Sequence, residues 1–314
     1  MAWALPVTAR MHIDQVRGRA RAAFLGVALG DALGATVEFM TAGEIRAQYG
    51  VHRDLRGGGW LHLAPGDVTD DTEMSLALAE AIVSRGRFEA RAAAEALAAW
   101  MRSRPTDVGN TVRRGLRRYL LEGTLEAPPA QCDAGNGAAM RMVPVALATL
   151  GDRAQLAREA VAQARITHHH PLSDLACVHV GQLVQLGCLA TPPGALRRAS
   201  DALVTAHPNL AFEAWRGPPS GYVLDTLRTV LRWVHASRSF EECLVGVVNE
   251  GGDADTTGAI AGGIAGALYG AEALPARWLR RLDRRLVARI QALADRLVEL
   301  SPLAQAARVT PGSA

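Results

Sequence analysis

Two short acidic segments, Thr69-Asp70-Asp71-Thr72-Glu73 and Gly251-Gly252-Asp253-Ala254-Asp255-Thr256-Thr257-Gly258, lie about 180 residues apart, and each opens a helical run of small or apolar residues. They offer mainly carboxylate and hydroxyl oxygens, a hard donor set that suits Mg²⁺ or Mn²⁺ and not the nitrogen and sulfur preferences of zinc. A single Asp ahead of a helix is explained as an N-cap or as a first-turn acid facing the helix dipole. Two adjacent acids flanked by threonines exceed that need, because a cap uses one side-chain oxygen and the second carboxylate repels the first. The later segment also matches the opening of a calcium EF-hand, with Asp253, Asp255, Thr257 and Gly258 at loop positions 1, 3, 5 and 6. Position 12 is Ile264, where a bidentate Glu is required, so the segment is not an EF-hand. It reads as half of a site, and the earlier segment supplies the other half of a binuclear metal centre.

The elements that must bring these halves together are helices. Aromatics make up 5% of the chain and β-branched runs are rare, while Ala, Leu, Arg and Glu recur at helical spacing. The pattern predicts an all-α protein, with helices over 14–33, 73–84, 88–102, 108–121, 137–149, 154–163, 172–187, 195–206, 220–235, 240–249, 256–269 and 276–299. Gly26, Gly30 and Gly34 repeat every fourth residue in the first helix, as do Gly258, Gly262, Gly266 and Gly270 near the end. Each ladder lines one helix face. The expectation is close backbone contact between the two helices, which would carry Asp31 and Glu38 toward Asp253 and Asp255. Residues 49–67 and 122–136 are long for connections within a compact domain and read as lids or binding loops.

Composition removes several classes of function. The chain of 314 residues carries a formal charge of +3, and all its cationic Lys/Arg positions are arginine. Without lysine there is neither a Schiff-base lysine nor a Walker-type phosphate loop. Four scattered cysteines, with no C-x-x-C pair, favour a reducing compartment over a disulfide framework or a zinc knuckle. No leader pattern opens the chain, and no apolar run reaches the roughly 18 residues that span a bilayer. A soluble, cytoplasmic protein is expected, and no nucleic-acid role. No Pro/Gly/Ser-rich divider splits the chain, which favours one domain over residues 1–314, with a core of about 20–299 and flexible ends.

Other polar segments are weaker signals. Gly135-Asn136-Gly137 before a helix offers free N–H groups to a phosphate. Three consecutive histidines, His168 to His170, cannot share one helix face, and one packed and two exposed rings are expected. Arg113, Arg114, Arg117 and Arg118 serve equally well as an anion-steering patch or a solvated face. The arginines of residues 280–289 read as a solvated face.

Taken in order, Gly30-Asp31-Ala32-Leu33-Gly34-Ala35 to Glu38, Thr69-Asp70-Asp71-Thr72, Gly135-Asn136-Gly137-Ala138-Ala139-Met140-Arg141, His168 with Pro171, and Gly252-Asp253-Ala254-Asp255-Thr256 resemble the ADP-ribosylglycohydrolases. The likeness spans roughly residues 20–299. The stretches Ala35-Thr36-Val37-Glu38-Phe39-Met40, Gly57-Gly58-Gly59-Trp60, Ser103-Arg104-Pro105-Thr106-Asp107-Val108-Gly109-Asn110-Thr111 and Ala164-Arg165-Ile166-Thr167-His168 are most similar to the branch acting on the nitrogenase iron protein (dinitrogenase reductase). The resemblance implies a compact orthogonal helical bundle, two divalent metals (Mn²⁺ ahead of Mg²⁺), and release of ADP-ribose from a protein arginine. It implies metal contacts from Thr69, Asp70, Asp71, Asp253, Asp255 and Thr256, and substrate contacts from Asn110, Asn136, Gly137, His168 and Tyr222. It also implies regulation by a PII signalling protein and an ammonium channel, with reversible, protein-mediated membrane association.

Cleaving the bond from the anomeric carbon to a guanidinium nitrogen develops positive charge on the ribose, so metal ions beside it serve as a template for ribose hydroxyls and water. A carboxylate must then move protons. Asp107 is the first choice and Glu38 the second, with Glu38 otherwise positioning substrate. Hydrolysis of another ADP-ribose linkage, on serine, a nucleic-acid base or acetate, is an alternative, as is a non-catalytic protein of the same fold.

Overall fold

The computed structural model describes residues 13–192 and 194–309. Its helices are α1 (Ile13–Gly34), α2 (Ala42–Tyr49), α3 (Asp70–Arg85), α4 (Ala90–Arg102), α5 (Asn110–Glu122), α6 (Val143–Ala148), α7 (Arg153–Arg165), α8 (Pro171–Cys188), α9 (Ala195–Ala206), α10 (Val223–Ala236), α11 (Phe240–Val248), α12 (Ala254–Tyr269), α13 (Ala276–Leu279), α14 (Arg284–Leu300) and α15 (Pro302–Val309). Extended pairing among the described residues is confined to isolated bridges, so the all-α expectation holds.

The glycine ladders meet as expected and fix the centre of the fold. A methyl group on Gly30 would lie 2.0 Å from the Gly258 carbonyl oxygen, and one on Gly262 would lie 2.0 Å from that of Gly26. Only glycine allows backbones this close, and α1 and α12 are buried along most of their shared length. Gly270 departs from the ladder: it ends α12 at φ 82°, where a side chain would meet only the Arg19 stem. Helices α8, α11 and α14 pack around this pair, with Phe24, Leu29, Leu33, Phe240, Ile264 and Leu297 in the core.

Four segments differ from the sequence pattern for local reasons. Helix α2 was not expected, yet Thr41 and Glu44 close a reciprocal capping box at its start. The helix expected over 137–149 begins only at Val143, because Pro144 belongs in a first turn and the preceding residues form turns around Asn136. The helix expected over 276–299 breaks, since Asp283 caps a fresh start by accepting from the N–H groups of Arg285 and Leu286. Beyond it, α15 continues to Val309, and α1 begins at Ile13, so helical structure extends past 20–299. Of the ends expected to be flexible, 13–19 and 302–309 are helical, and 1–12 and 310–314 lie outside the described residues. Arg280, Arg281, Arg284, Arg285 and Arg289 are all exposed, as a solvated face requires.

Candidate metal centre

The two acidic motifs occupy the first turns of α3 and α12, where the helix dipole favours negative charge. Neither Thr69 nor Asp253, the N-cap residues, makes a side-chain capping bond, so the ordinary capping role does not account for them. Thr69 instead gives its hydroxyl to Asp31 Oδ1 at 2.8 Å and lies 3.4 Å from Asp71 Oδ2. Thr256 Oγ1 donates to the same Asp71 oxygen at 3.3 Å, joining one motif to the other. The second Asp71 oxygen, Oδ1, is buried with no hydrogen-bond donor.

Asp31 holds this arrangement from behind. Delivered by the buried end of α1, it accepts from the N–H and hydroxyl groups of both Thr69 and Thr72. The sequence placed Asp31 near the site without showing that it anchors the start of α3. The glycine before it signals the close approach, but not the direction of the carboxylate.

Glu38, Asp253 and Asp255 each offer an oxygen, and these oxygens lie within 4.8 Å of one another. Main-chain bonds fix the spacing: Phe39 N–H donates to Gly252 O at 2.7 Å and Gly252 N–H to Met40 O at 2.8 Å. Gly252 has φ 62°, and a methyl group there would lie 1.9 Å from Pro219 O. Glycine is therefore required where the Glu38 turn, the 217–222 loop and Asp253 converge. Asn136 Nδ2 donates to Asp253 Oδ2 at 2.8 Å and to Thr226 at 3.0 Å, tying the Gly-Asn-Gly turn to the same acid. Glu38 thus stands within a three-carboxylate group and not apart from the metal motifs. Its Oε2 accepts from the Trp60 indole at 2.5 Å, a partner that the loop sequence did not reveal.

Burial dominates the electrostatics. It pushes Asp31 up to about 6 and Glu38 up to about 7, with Asp253 and Asp107 adding to the Glu38 rise. Asp70, Asp71 and Asp255 are driven well above the ordinary carboxylate range by burial and then by neighbouring acids. Two carboxylates 4 Å apart repel by roughly 4 kcal/mol at an effective dielectric near 20. An oxygen-only set with such repulsion, and with one buried oxygen lacking a donor, fits hard divalent cations, and the three-carboxylate group contains no His or Cys.

Asp107, half-buried ahead of α5, accepts from Val108 N–H at 2.7 Å, and burial raises its pKa with a further push from Asp253. The Gly109 amide, in the same loop, partly offsets the rise of Asp70. Asn110 opens α5 and is exposed, and Tyr222 is 43% exposed and paired through its backbone with Gly135. His168 is buried against Gly135 and Gly137, beneath the turn. Arg141, fully buried, donates to Thr167 Oγ1, which meets His168 Nδ1 at 2.8 Å. Thr167 Oγ1 and His168 Nδ1 share a hydrogen bond, and the far edge of the ring, Nε2, faces Gly135 and Gly137. Burial and the Arg141 charge lower His168 to about 3, so the ring is neutral. His169 and His170 are half-buried, His170 capping α8, so they differ from the expected exposed rings. On α5, Arg114 pairs with Asp133 while Arg113 reaches Val108 O.

An all-α frame that draws buried carboxylates from distant parts of the chain to one oxygen-lined centre defines a protein with a divalent-cation type of site. The ADP-ribosylglycohydrolase family pattern matches residues 13–307, and the chain belongs to that family. It is 52% identical over 288 residues to the ADP-ribosyl-[dinitrogen reductase] glycohydrolase of Rhodospirillum rubrum, covering 92% of this chain and 98% of that protein. It is 32% identical to the ADP-ribosylarginine hydrolase Tri1 of Pseudomonas putida, over 92% of this chain and 80% of that one. A solved structure titled ADP-ribosylglycohydrolase-related protein complex superposes with a TM-score of 0.82 at 36% identity, covering 91% of this chain and 99% of the other. No helix among the described residues is long and apolar enough to cross a membrane.

Proposed function

We propose that this protein hydrolyses the N-glycosidic bond between ADP-ribose and a protein arginine, with the nitrogenase iron protein as target. The observation that carries the reading is the convergence of Glu38, Asp253 and Asp255 beside Asp70 and Asp71 in a chain of this family. The names of the Rhodospirillum and Pseudomonas relatives support the arginine linkage, and the former supports the iron-protein target.

Two divalent cations, Mn²⁺ or Mg²⁺, would be held by Thr69, Asp70, Asp71, Asp253, Asp255 and Thr256, with Glu38 at their edge. Bound there, they supply charge that orients ribose hydroxyls and water. Asn136 restrains Asp253, and Asp31 restrains Thr69 and Thr72, so the protein contributes a preset oxygen frame. Asp107, outside that group, gives a proton to the departing guanidine nitrogen or takes one from water. Glu38, held by Trp60, positions the substrate. Asn110, Gly137, His168 and Tyr222 form the ADP-ribose side, with His168 acting through the turn it supports.

The reading also takes residues 13–309 as one domain, supported by the backbone contact of α1 with α12 from opposite ends of the chain. It places the protein in the cytoplasm, with a PII protein and an ammonium channel recruiting it reversibly to the membrane, which co-purification under nitrogen shift tests. The central experiment is incubation with arginine-ADP-ribosylated iron protein with and without Mn²⁺, following free ADP-ribose. Metal-dependent release is expected, and its absence would overturn the reading.

A further inference from the structure

Phe39 and Trp60 form an exposed aromatic corner directly beside Glu38. They are 66% and 49% exposed, their ring centroids are 5.5 Å apart, and the planes are tilted by 47°. Single exposed apolar residues need no explanation, but this pair is held in place at a cost. Phe39 has φ 64°, a left-handed conformation that a bulky residue adopts only when its surroundings impose it. The imposing contacts are the main-chain bonds that join residues 39 and 40 to Gly252. Trp60 follows Gly59, whose φ is 66° and where a methyl group would lie 2.4 Å from Ala35 O. Its indole N–H is spent on Glu38 Oε2, leaving the ring face without that polar edge. The same turns that set the carboxylate group therefore also set two aromatic faces at its rim.

Such a corner, with carboxylates at its base, has the chemistry that binds a guanidinium. Flat cations stack on aromatic faces, and arginine does so more readily than lysine. Tyr222, the exposed ring assigned to the ADP-ribose side, is joined by backbone pairing to Gly135. We propose that Phe39 and Trp60 form the leaving-group subsite, which holds the guanidinium of the modified arginine and selects that linkage. The proposal rests on the function given above and adds the residues that recognise the protein side of the bond.

Hydrolysis of ADP-ribosyl-arginine is compared for wild type, Phe39→Leu and Phe39→Tyr, with free ADP-ribose measured as a competitive inhibitor of each. Phe39→Leu should raise KM about 5- to 30-fold, while Phe39→Tyr, which keeps a ring, stays within about threefold. Inhibition by ADP-ribose, which lacks the guanidinium, should stay the same in every variant. Phe39→Leu decides the matter because Phe39 makes no side-chain bond to Glu38. An unchanged KM in that variant, or a parallel loss of ADP-ribose affinity, overturns the subsite. Failure of the parent reading looks different, because wild type then releases nothing from ADP-ribosyl-arginine. Calorimetric binding of agmatine in the presence of ADP-ribose then decides: weaker binding by Phe39→Leu supports the subsite, and equal binding or none overturns it.

Discussion

Thr256 donates from Oγ1 to Asp71 Oδ2 at 3.3 Å, across 185 positions of sequence. The oxygen it meets belongs to a carboxylate that is fully buried and crowded by Asp31, Asp70, Asp253 and Glu38. The centre therefore exists only once α3 and α12 are both in place, and any cation it binds stabilises the folded state alone.

That linkage is measurable by calorimetry with Mn²⁺ and with EDTA. At a free concentration of 100 times Kd, a single bound ion adds about 2.7 kcal/mol to wild-type stability. Asp71→Asn should lose most of this gain. In EDTA the same variant should be at least as stable as wild type, because a crowded buried charge has been replaced by a neutral amide. An equal Mn²⁺-induced rise in Tm for both proteins would count against the assignment of Asp71.

Asn136 offers a second test, because its amide reaches Asp253 Oδ2 without belonging to the acid group. Asn136→Ala should weaken Mn²⁺ binding about 10- to 100-fold, the usual effect of releasing a ligand from the group that orients it. Free Mn²⁺ followed by electron paramagnetic resonance reads this directly. Unchanged affinity would mean that Asp253 is held well enough by its main-chain bond to Pro219.

The sequence made some of this centre legible and hid the rest for physical reasons. Asp70, Asp71, Asp253 and Asp255 declare themselves because adjacent acids have no other inexpensive explanation. The glycine ladders declare their contact because period and residue type agree. Asp31 is different: a lone Asp in an apolar helix does not reveal that four donors from another helix converge on it. Glu38 looked separable from the metal motifs because the bonds joining it to Gly252 are main-chain bonds, which leave no side-chain signature. The turn over 137–142 was lost to the helical propensity of Ala and Met, which Pro144 and the anchored Asn136 override. Helix α2 spans only eight residues, too few for a clear period, although its capping box was visible.

The ladder contact should be intolerant of a single methyl group. Gly30→Ala places a carbon 2.0 Å from Gly258 O, and both partners are backbone, so the helices must separate. Overpacking of this kind costs about 1–3 kcal/mol or more. Because α1 carries Asp31 and α12 carries Asp255, Mn²⁺ affinity should fall together with the urea midpoint. Gly18→Ala is the control, since nothing lies within 4 Å of its added carbon. A Gly30→Ala protein with wild-type stability and affinity would contradict the packing.

Away from the metal centre, His179 and His235 share Ser200, whose Oγ lies 3.4 Å from one Nε2 and 3.0 Å from the other. Burial lowers both rings to about 4, with the neighbouring His235 acting further on His179 and Arg197 on His235. A folded pKa below the unfolded value near 6.5 means that the unfolded chain binds more protons between those two values. Stability from these rings is therefore fully present above pH 6.5 and is lost as pH falls toward 4, by about 3 kcal/mol for each ring. The buried acids Asp31 and Glu38, with raised folded values, act in the opposite direction over part of the same range. Wild type must for that reason be compared with His179→Gln/His235→Gln by urea denaturation at successive pH values in excess EDTA. The difference in unfolding free energy between the two proteins should shrink steadily from pH 7 to pH 4.5. A constant difference would show that neither ring is held neutral by the fold.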